Sequence, residues 1–225
     1  MAAMTSDFTA EREAMVERQI ESRGIDDPNI IGAFRTVPRE LFVSPEYAEL
    51  AYGDHPLPIE AGQTISQPYI VALMIQAAEI KPGDKVLEVG GGSGYAAAVI
   101  GQIAGTVISV ERQHDLVALA RGRLSELGYD NVQVREGDGT RGCSEEAPFD
   151  AILAAASGSH VPQSLVDQLA DSGRLVMPVG DPGWVQKLVK VTKGPDGKLI
   201  TEDLGGVRFV PLIGDEGWEN AGDQG

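Results

Sequence analysis

At residues 85–94 an apolar run, Lys85-Val86-Leu87-Glu88-Val89, opens directly into Gly90-Gly91-Gly92-Ser93-Gly94. A short apolar run stopped by glycines reads as a buried strand, and the glycines let the backbone after it turn tightly and approach a ligand. The rest of the chain repeats this strand-then-helix order. Helical patterns over 69–79, 94–103, 113–127 and 162–170 alternate with strand-like runs at 85–89, 106–110, 132–136, 150–155 and 173–179. That alternation specifies an α/β fold with a doubly wound, mainly parallel sheet.

The flanks differ from this core. Residues 11–23 carry Met15, Val16 and Ile20 at helical spacing and stop at Gly24, and Asp27-Pro28 opens a second helix through Phe34. Residues 51–64, rich in Gly and Pro, read as an ordered loop and a candidate lid. After the core, apolar runs at 185–191 and 207–212 flank Lys193-Gly194-Pro195-Asp196-Gly197, whose turn chemistry predicts a hairpin at the sheet edge. One domain is expected. It divides into N-terminal helices and loop (1–68), an α/β core (69–179), a hairpin (180–213) and a loose acidic tail (214–225).

Composition excludes several classes. With 34 acidic against 18 basic residues and a net charge of −16, most of the surface repels a phosphate backbone, so nucleic acid is not an expected partner. No apolar run approaches the roughly 20 residues that span a bilayer, and residues 1–11 lack a signal layout. A cytoplasmic protein without a membrane partner is expected. The one cysteine, Cys143, cannot pair internally, and no Cys or His cluster has metal-ligand spacing, so no metal is expected. No heptad or apolar stripe demands a dimer, so a monomer is expected.

A glycine loop after a first strand announces only that a nucleoside or phosphate sits at the strand's carboxyl end. Spacing narrows the choice. Glycines at 90, 92 and 94 give G-x-G-x-G, whereas the dinucleotide fingerprint needs a small residue at 95, where Tyr95 stands. No Lys-Ser/Thr pair follows, which excludes a nucleoside-triphosphate loop. The remaining reading is a methyl donor, S-adenosyl-L-methionine. Glu111, ending the second strand, can accept from both hydroxyls of a ribose, and Asp138 in Gly137-Asp138-Gly139 can accept from an adenine amino group. Glu88 either contacts the methionine portion or orients the loop. On the acceptor side, Gly62-Gln63-Thr64-Ile65-Ser66-Gln67-Pro68-Tyr69 leads into a helix, where the hydroxyls either cap the helix or help receive a carboxylate.

Taken in order, Val16-Glu17-Arg18-Gln19-Ile20, Gly-Gln-Thr-Ile-Ser-Gln-Pro, Val-Leu-Glu-Val-Gly-Gly-Gly-Ser-Gly-Tyr, Gly-Asp-Gly, Pro148-Phe149-Asp150-Ala151-Ile152 and Val207-Arg208-Phe209-Val210-Pro211-Leu212 resemble the protein-L-isoaspartate O-methyltransferases. The glycine motif is common to many methyltransferases. Thr-Ile-Ser-Gln-Pro and Arg-Phe-Val-Pro-Leu are specific to this family. The resemblance implies a Rossmann-like methyltransferase domain that methylates the α-carboxylate of L-isoaspartyl residues in damaged proteins and peptides. It implies Ser66 as the active-site serine, with Thr64 and Ile65 beside the substrate, and cofactor contacts at Gly90, Gly92, Ser93, Gly94, Glu111, Asp138 and Gly139.

Two departures stand out. The family carries Val-Thr-Ala-Ala where this chain reads Leu153-Ala154-Ala155-Ala156, which leaves Ser157 as a candidate replacement hydroxyl. Position 91, often Thr in the family, is Gly91, which predicts a more mobile loop. The alternatives are a relative dedicated to one aspartate of a modified peptide, disfavoured because the sequence stops soon after Trp218, and a noncatalytic S-adenosylmethionine-binding module, disfavoured by retention of Ser66. A dehydrogenase is disfavoured by Tyr95. His55 and His160 are expected on loops.

Overall fold

In the computed structural model, residues 7–219 are described; residues 1–6 and 220–225 lie outside the described residues, and with them part of the N-terminal stretch and of the acidic tail. A seven-stranded sheet organises the molecule. Its strands are β3 (Lys85–Val89), β4 (Thr106–Glu111), β5 (Val132–Glu136), β6 (Phe149–Ala154), β7 (Leu169–Val179), β8 (Gln186–Lys193) and β9 (Leu199–Val207), in the order β5-β4-β3-β6-β7-β8-β9. The five strands from β5 to β7 pair in parallel, and β8 and β9 add antiparallel. A second, two-stranded ladder, β1 (Leu57–Pro58) with β2 (Thr64–Ile65), lies inside the predicted loop.

Strand alternation assigns the two faces. Val86, Val107, Ala151 and Val176 join one core, under α2 (Pro28–Thr36), α3 (Pro68–Ala77), α4 (Tyr95–Gly101) and α5 (His114–Glu126). Leu87, Val89, Ile108, Ile152 and Leu175 join the other, with Leu165 of α6 (Gln163–Asp167). Both faces of the central strands are covered, which is why these strands read as continuous apolar runs. The polar exceptions, Glu88 and Ser109, sit opposite each other in register and point to the first face.

Local signals fixed the helix ends. Asp27 caps α2 by accepting from Asn29 N at 2.7 Å and Ile30 N at 3.4 Å, worth about 1 kcal/mol. The first helix runs from α1 (Thr9–Met15) through a π-turn to Gly24, which takes φ 87° to stop it.

Three expectations need correction. The helix placed at 162–170 is shorter, because Leu169 already pairs with Phe149 and the strand bends at Ser172 (φ 64°). The second hairpin strand is Leu199–Val207, not 207–212. Gly194 N donates to Lys198 O at 2.8 Å, so the turn closes at once and Leu199 must pair with Lys193. As an edge strand, β9 is mostly solvent-exposed, and Thr201-Glu202-Asp203 and Gly205-Gly206 interrupt it, so it lacks the continuous apolar run that drew attention to 207–212. Finally, residues 214–218 are docked rather than loose: Asp215 N donates to Asp138, Glu216 N to Thr140, and Trp218 Nε1 to Ser157 O at 2.8 Å.

Candidate active site

The chain leaves β3 at the position where neighbouring connections diverge, to β4 on one side and β6 on the other. This is where an open α/β sheet forms its crevice. Gly90, Gly92 and Gly94 take φ of 84°, 52° and 88°, a left-handed backbone that other residues adopt only under strain. Gly90 N donates to Val110 O at 2.8 Å and Gly92 N to Glu111 Oε2 at 2.9 Å, so the loop is tied to the end of β4. Across the crevice, a Cβ on Gly139 would fall 2.6 Å from Val89 Cγ1. The result is a cavity of about 850 Å³ lined by Gly90, Gly92, Ser93, Glu88, Glu111 and Gly139, among others.

Two carboxyl groups face this cavity under different constraints. Glu111 is nearly buried, and its Oε1 accepts from Gln113 N at 2.8 Å while its Oε2 holds Gly92, leaving one lone pair on each oxygen for a ligand. Glu88 is wholly buried. Its Oε2 accepts from the Ser109 hydroxyl, and its Oε1 has no partner. Burial, helped by the nearby Glu111 charge and opposed by the Ser109 bond, pushes the Glu88 carboxyl up to about 8. A buried carboxyl oxygen without a partner in the lining of a cavity is a place for a polar group of a ligand.

Asp138 is not among the residues lining the cavity. Its Oδ1 accepts from Thr140 N at 2.9 Å and Thr140 Oγ1 at 2.7 Å, and its Oδ2 accepts from Asp215 N at 2.8 Å. At Gly94 an added Cβ would meet Ala120 at 3.2 Å, so the glycine also lets α4 pack against α5.

The segment 62–69 arrives from the other side. Thr64 and Ile65 form β2, Ile65 is buried, Thr64 is exposed and Ser66 is half-buried, with Gln67 rather than either hydroxyl at the α3 N-cap and no side-chain cap bond. Thr64 and Ser66 are therefore free of the capping role. Ile65 and both hydroxyl residues line this cavity, and Thr64 and Ser66 also line a second groove of about 610 Å³ bordered by Trp184, Val185, Arg208 and Phe209. Ser66, Thr64, Ala155 and Val210 are common to both, so the two spaces meet at Ser66. The 51–64 loop covers the glycine loop directly: Ile59 Cδ1 is 3.5 Å from where a Gly92 Cβ would stand, and Arg123 pairs with Glu60 at 3.3 Å.

The departures acquire physical explanations. Ser157 is fully buried and does not line the cavity; its N donates to Val210 O and its O accepts from Leu212 N, both at 2.8 Å, and from Trp218 Nε1. It anchors the C-terminal segment through its backbone, and its buried hydroxyl has no partner among the described residues. At position 91 a Cβ would fall 2.3 Å from Ser109 Oγ, so the glycine makes room for the Ser109–Glu88 pair. Trp218, Glu219 and Ile213 also line the cavity, which sequence reasoning missed. A tryptophan in an otherwise acidic tail was the available signal. His55 and His160 are exposed and bond only locally, to Pro56 O and Ser159 Oγ. Among the described residues no group of three or more His, Cys, Asp or Glu side chains gathers for a metal.

Comparison with known proteins agrees with this arrangement. The sequence matches the family Protein-L-isoaspartate(D-aspartate) O-methyltransferase (PCMT) over residues 10–217. Protein-L-isoaspartate O-methyltransferase 1 of Rhodopseudomonas palustris (strain HaA2) is 56% identical over 211 residues, covering 94% of this chain and 86% of that protein. A solved protein-L-isoaspartate O-methyltransferase superposes with a TM-score of 0.84 at 30% identity, over 92% of this chain and 67% of that one. The beta-aspartate methyltransferase (PCMT) structure from Plasmodium falciparum, in complex with S-adenosyl-L-homocysteine, gives 0.77 at 30% identity over 90% of this chain and 98% of that one. A glycine cradle beside a strand-end carboxylate, opening at Ser66 to an outer groove, is thus found in a chain that belongs to the protein-L-isoaspartate(D-aspartate) O-methyltransferase family.

Proposed function

We infer that this chain methylates the α-carboxylate of L-isoaspartyl residues in damaged proteins and peptides, using S-adenosyl-L-methionine, and so initiates their repair. The observation that carries the reading is the meeting of two cavities at Ser66, a deep one floored by the glycine loop and an outer one broad enough for a polypeptide segment. When bound, the cofactor supplies an electrophilic methyl group on a sulfonium.

The chain's own residues do the rest. Gly90, Gly92, Ser93 and Gly139 bring bare backbone to the donor, Glu111 offers its free lone pairs to the ribose hydroxyls, and Glu88 faces the polar end of the methionine. Asp138 acts from behind, holding the Gly139 turn and the C-terminal segment in place. A carboxylate nucleophile with a pKa near 4 is already ionised at neutral pH, so no general base is needed. Positioning supplies the catalysis. The Ser66 hydroxyl, with Thr64 and Ile65 beside it, orients one carboxylate oxygen at an attack distance of about 3 to 3.5 Å. The covering 51–64 loop and the C-terminal segment exclude water that would stabilise the separated charges. Isoaspartate places its carboxylate one backbone carbon away from the position in aspartate, and a normal residue misses that distance.

One domain of one chain builds the whole site, which supports action as a monomer. The acidic surface and the free thiol of Cys143 support a cytoplasmic enzyme whose partners are polypeptides rather than nucleic acid or membrane. The test is methyl transfer from labelled S-adenosyl-L-methionine to two peptides that differ only in an isoaspartyl or aspartyl linkage. Base-labile label on the isoaspartyl peptide alone is expected. Equal or absent labelling rejects the reading.

A further inference from the structure

Behind Ser66 lies a buried cation that the roles above do not use. Arg39 begins the 3-10 turn Arg39–Phe42, and its side chain is wholly buried. Nε donates to the carbonyl of Ala51 at 2.7 Å and Nη2 to the carbonyl of Ser66 at 2.9 Å, so one planar group grips both ends of the covering loop. The guanidinium carbon lies 4.7 Å from the ring centroid of Tyr95, which lines the donor cavity. Nη1 and the Tyr95 hydroxyl are buried and make no well-aligned hydrogen bond among the described residues, their only polar support being the approach of the two side chains to each other.

Among the described residues no carboxylate pairs with Arg39, although its neighbour Glu40 pairs with Arg12. Burial pushes the Arg39 pKa down, with Tyr95 and Tyr52 opposing, but a guanidinium stays charged. Taking an unpaired charge out of water is among the most costly arrangements a fold can contain. The two carbonyls and the tyrosine ring compensate only in part. What the site otherwise lacks is positive charge: Glu111 faces the donor cavity, the chain carries −16 overall, and the acceptor is itself an anion. Of the other cations nearby, Arg112 beside the donor cavity and Arg208 beside the outer groove are exposed and screened by salt, and Arg123, behind Ser93, is already paired with Glu60.

We propose that Arg39 is a positioning residue of the acceptor site, fixing Ser66 through its carbonyl and supplying from behind it the buried positive charge against which the acceptor carboxylate is received. The proposal rests on the isoaspartyl reading. It explains why the serine sits on a non-capping turn before α3: the turn's carbonyl is oriented by the guanidinium, which leaves the hydroxyl side facing the junction of the two cavities.

The full chain is tested as Arg39→Lys and Arg39→Met, with thermal unfolding and S-adenosyl-L-homocysteine affinity measured alongside kinetics on an isoaspartyl peptide. The same peptide with a neutral isoasparaginyl amide serves as a competitive inhibitor. A lysine keeps the charge but cannot serve both carbonyls from a planar fork, so Arg39→Lys should stay folded, keep donor affinity within about twofold and lose about tenfold or more in kcat/KM. Arg39→Met should in addition lose the preference for carboxylate over amide peptide, and that loss should persist at high salt because the charge is buried. Unchanged kcat/KM in Arg39→Lys, or equal weakening of carboxylate and amide peptides in both variants, overturns the proposal. If Arg39→Met does not fold, the lysine variant decides alone: kcat/KM should fall by about tenfold or more while the carboxylate-over-amide preference is kept, and an unchanged kcat/KM or a lost preference overturns the proposal. A wild-type chain that methylates no isoaspartyl peptide rejects the functional reading itself, whereas an active wild type with an unaffected Arg39→Lys rejects only this inference.

Discussion

The amide of Gly92 donates to Oε2 of Glu111 at 2.9 Å, so a single carboxylate closes the glycine loop and faces the donor cavity at the same time. Glu111→Gln keeps the shape but loses the charge, and its NH₂ would face one of the two N–H donors that the carboxylate now satisfies. Charge-assisted bonds of this kind contribute about 1.5 to 3 kcal/mol. Donor affinity, measured by calorimetry with S-adenosyl-L-homocysteine, should fall by about tenfold to a hundredfold. An unaltered affinity would remove Glu111 from the donor site.

Ser66 stands at the junction of the two cavities and does not cap α3, so Ser66→Ala should leave the fold intact. Turnover at saturating donor should drop by about tenfold to a hundredfold, while donor affinity stays within about twofold. The split between these two measurements separates acceptor orientation from donor binding.

Gly91 and Ser109 compete for one volume. A Thr at 91 would place its Cβ 2.3 Å from Ser109 Oγ and 3.3 Å from Glu88 Oε2. Gly91→Thr alone should therefore destabilise the chain by about 1 to 3 kcal/mol through overpacking. Combined with Ser109→Ala it should recover most of that loss, a coupling read from urea midpoints in a double-mutant cycle. Additive losses would show that the loop, and not Ser109, resists the larger residue.

Glu88 makes the donor-free protein pH-sensitive. Its carboxyl is held at about 8 in the folded chain, above its unfolded value of 4.5, so between these pH values the folded state binds more protons. Stability should fall as pH rises through this window, by an amount on the order of a few kcal/mol. Glu88→Gln should flatten that slope in denaturant titrations from pH 5 to 8. A wild-type profile already flat over the same window would mean that Glu88 ionises at its ordinary value.

Asp138 is expected to matter without touching the donor. Asp138→Ala removes the acceptor for Asp215 N and for both Thr140 donors, and so frees the segment that brings Trp218 to the cavity. Proteolysis within 214–219 should speed up and donor affinity should weaken together, with S-adenosyl-L-homocysteine slowing the cleavage. Weaker affinity with unchanged cleavage would return Asp138 to direct contact.

The parallel core was legible because a strand buried on both faces must be apolar throughout and its connecting helix must show a 3.6-residue period. Val86 to Val89 and the glycines after them, together with Glu111 at the next strand end, therefore pointed from sequence alone to the crevice at the end of β3, and the Thr-Ile-Ser-Gln-Pro segment lies where that cavity meets the outer groove. The edge strand Leu199–Val207 was not legible, since exposure on one flank removes the apolar signal that marks a strand. Nor could local pattern reveal contacts made across long stretches of chain. Asp138 was assigned to a ligand because its turn lies at a strand end, and only the fold shows that its oxygens also accept from Thr140 and from Asp215, 77 residues away. Arg39 reads as an ordinary polar residue until the fold brings it against Ser66, 27 positions on, and Gly91 reads as looseness until Ser109 is seen filling its space. Sequence determined which elements form, because backbone propensity and hydrophobic period are local. Tertiary structure decided which polar atoms remain free for chemistry, because hydrogen-bond partners and excluded volume are set by residues far apart in the chain.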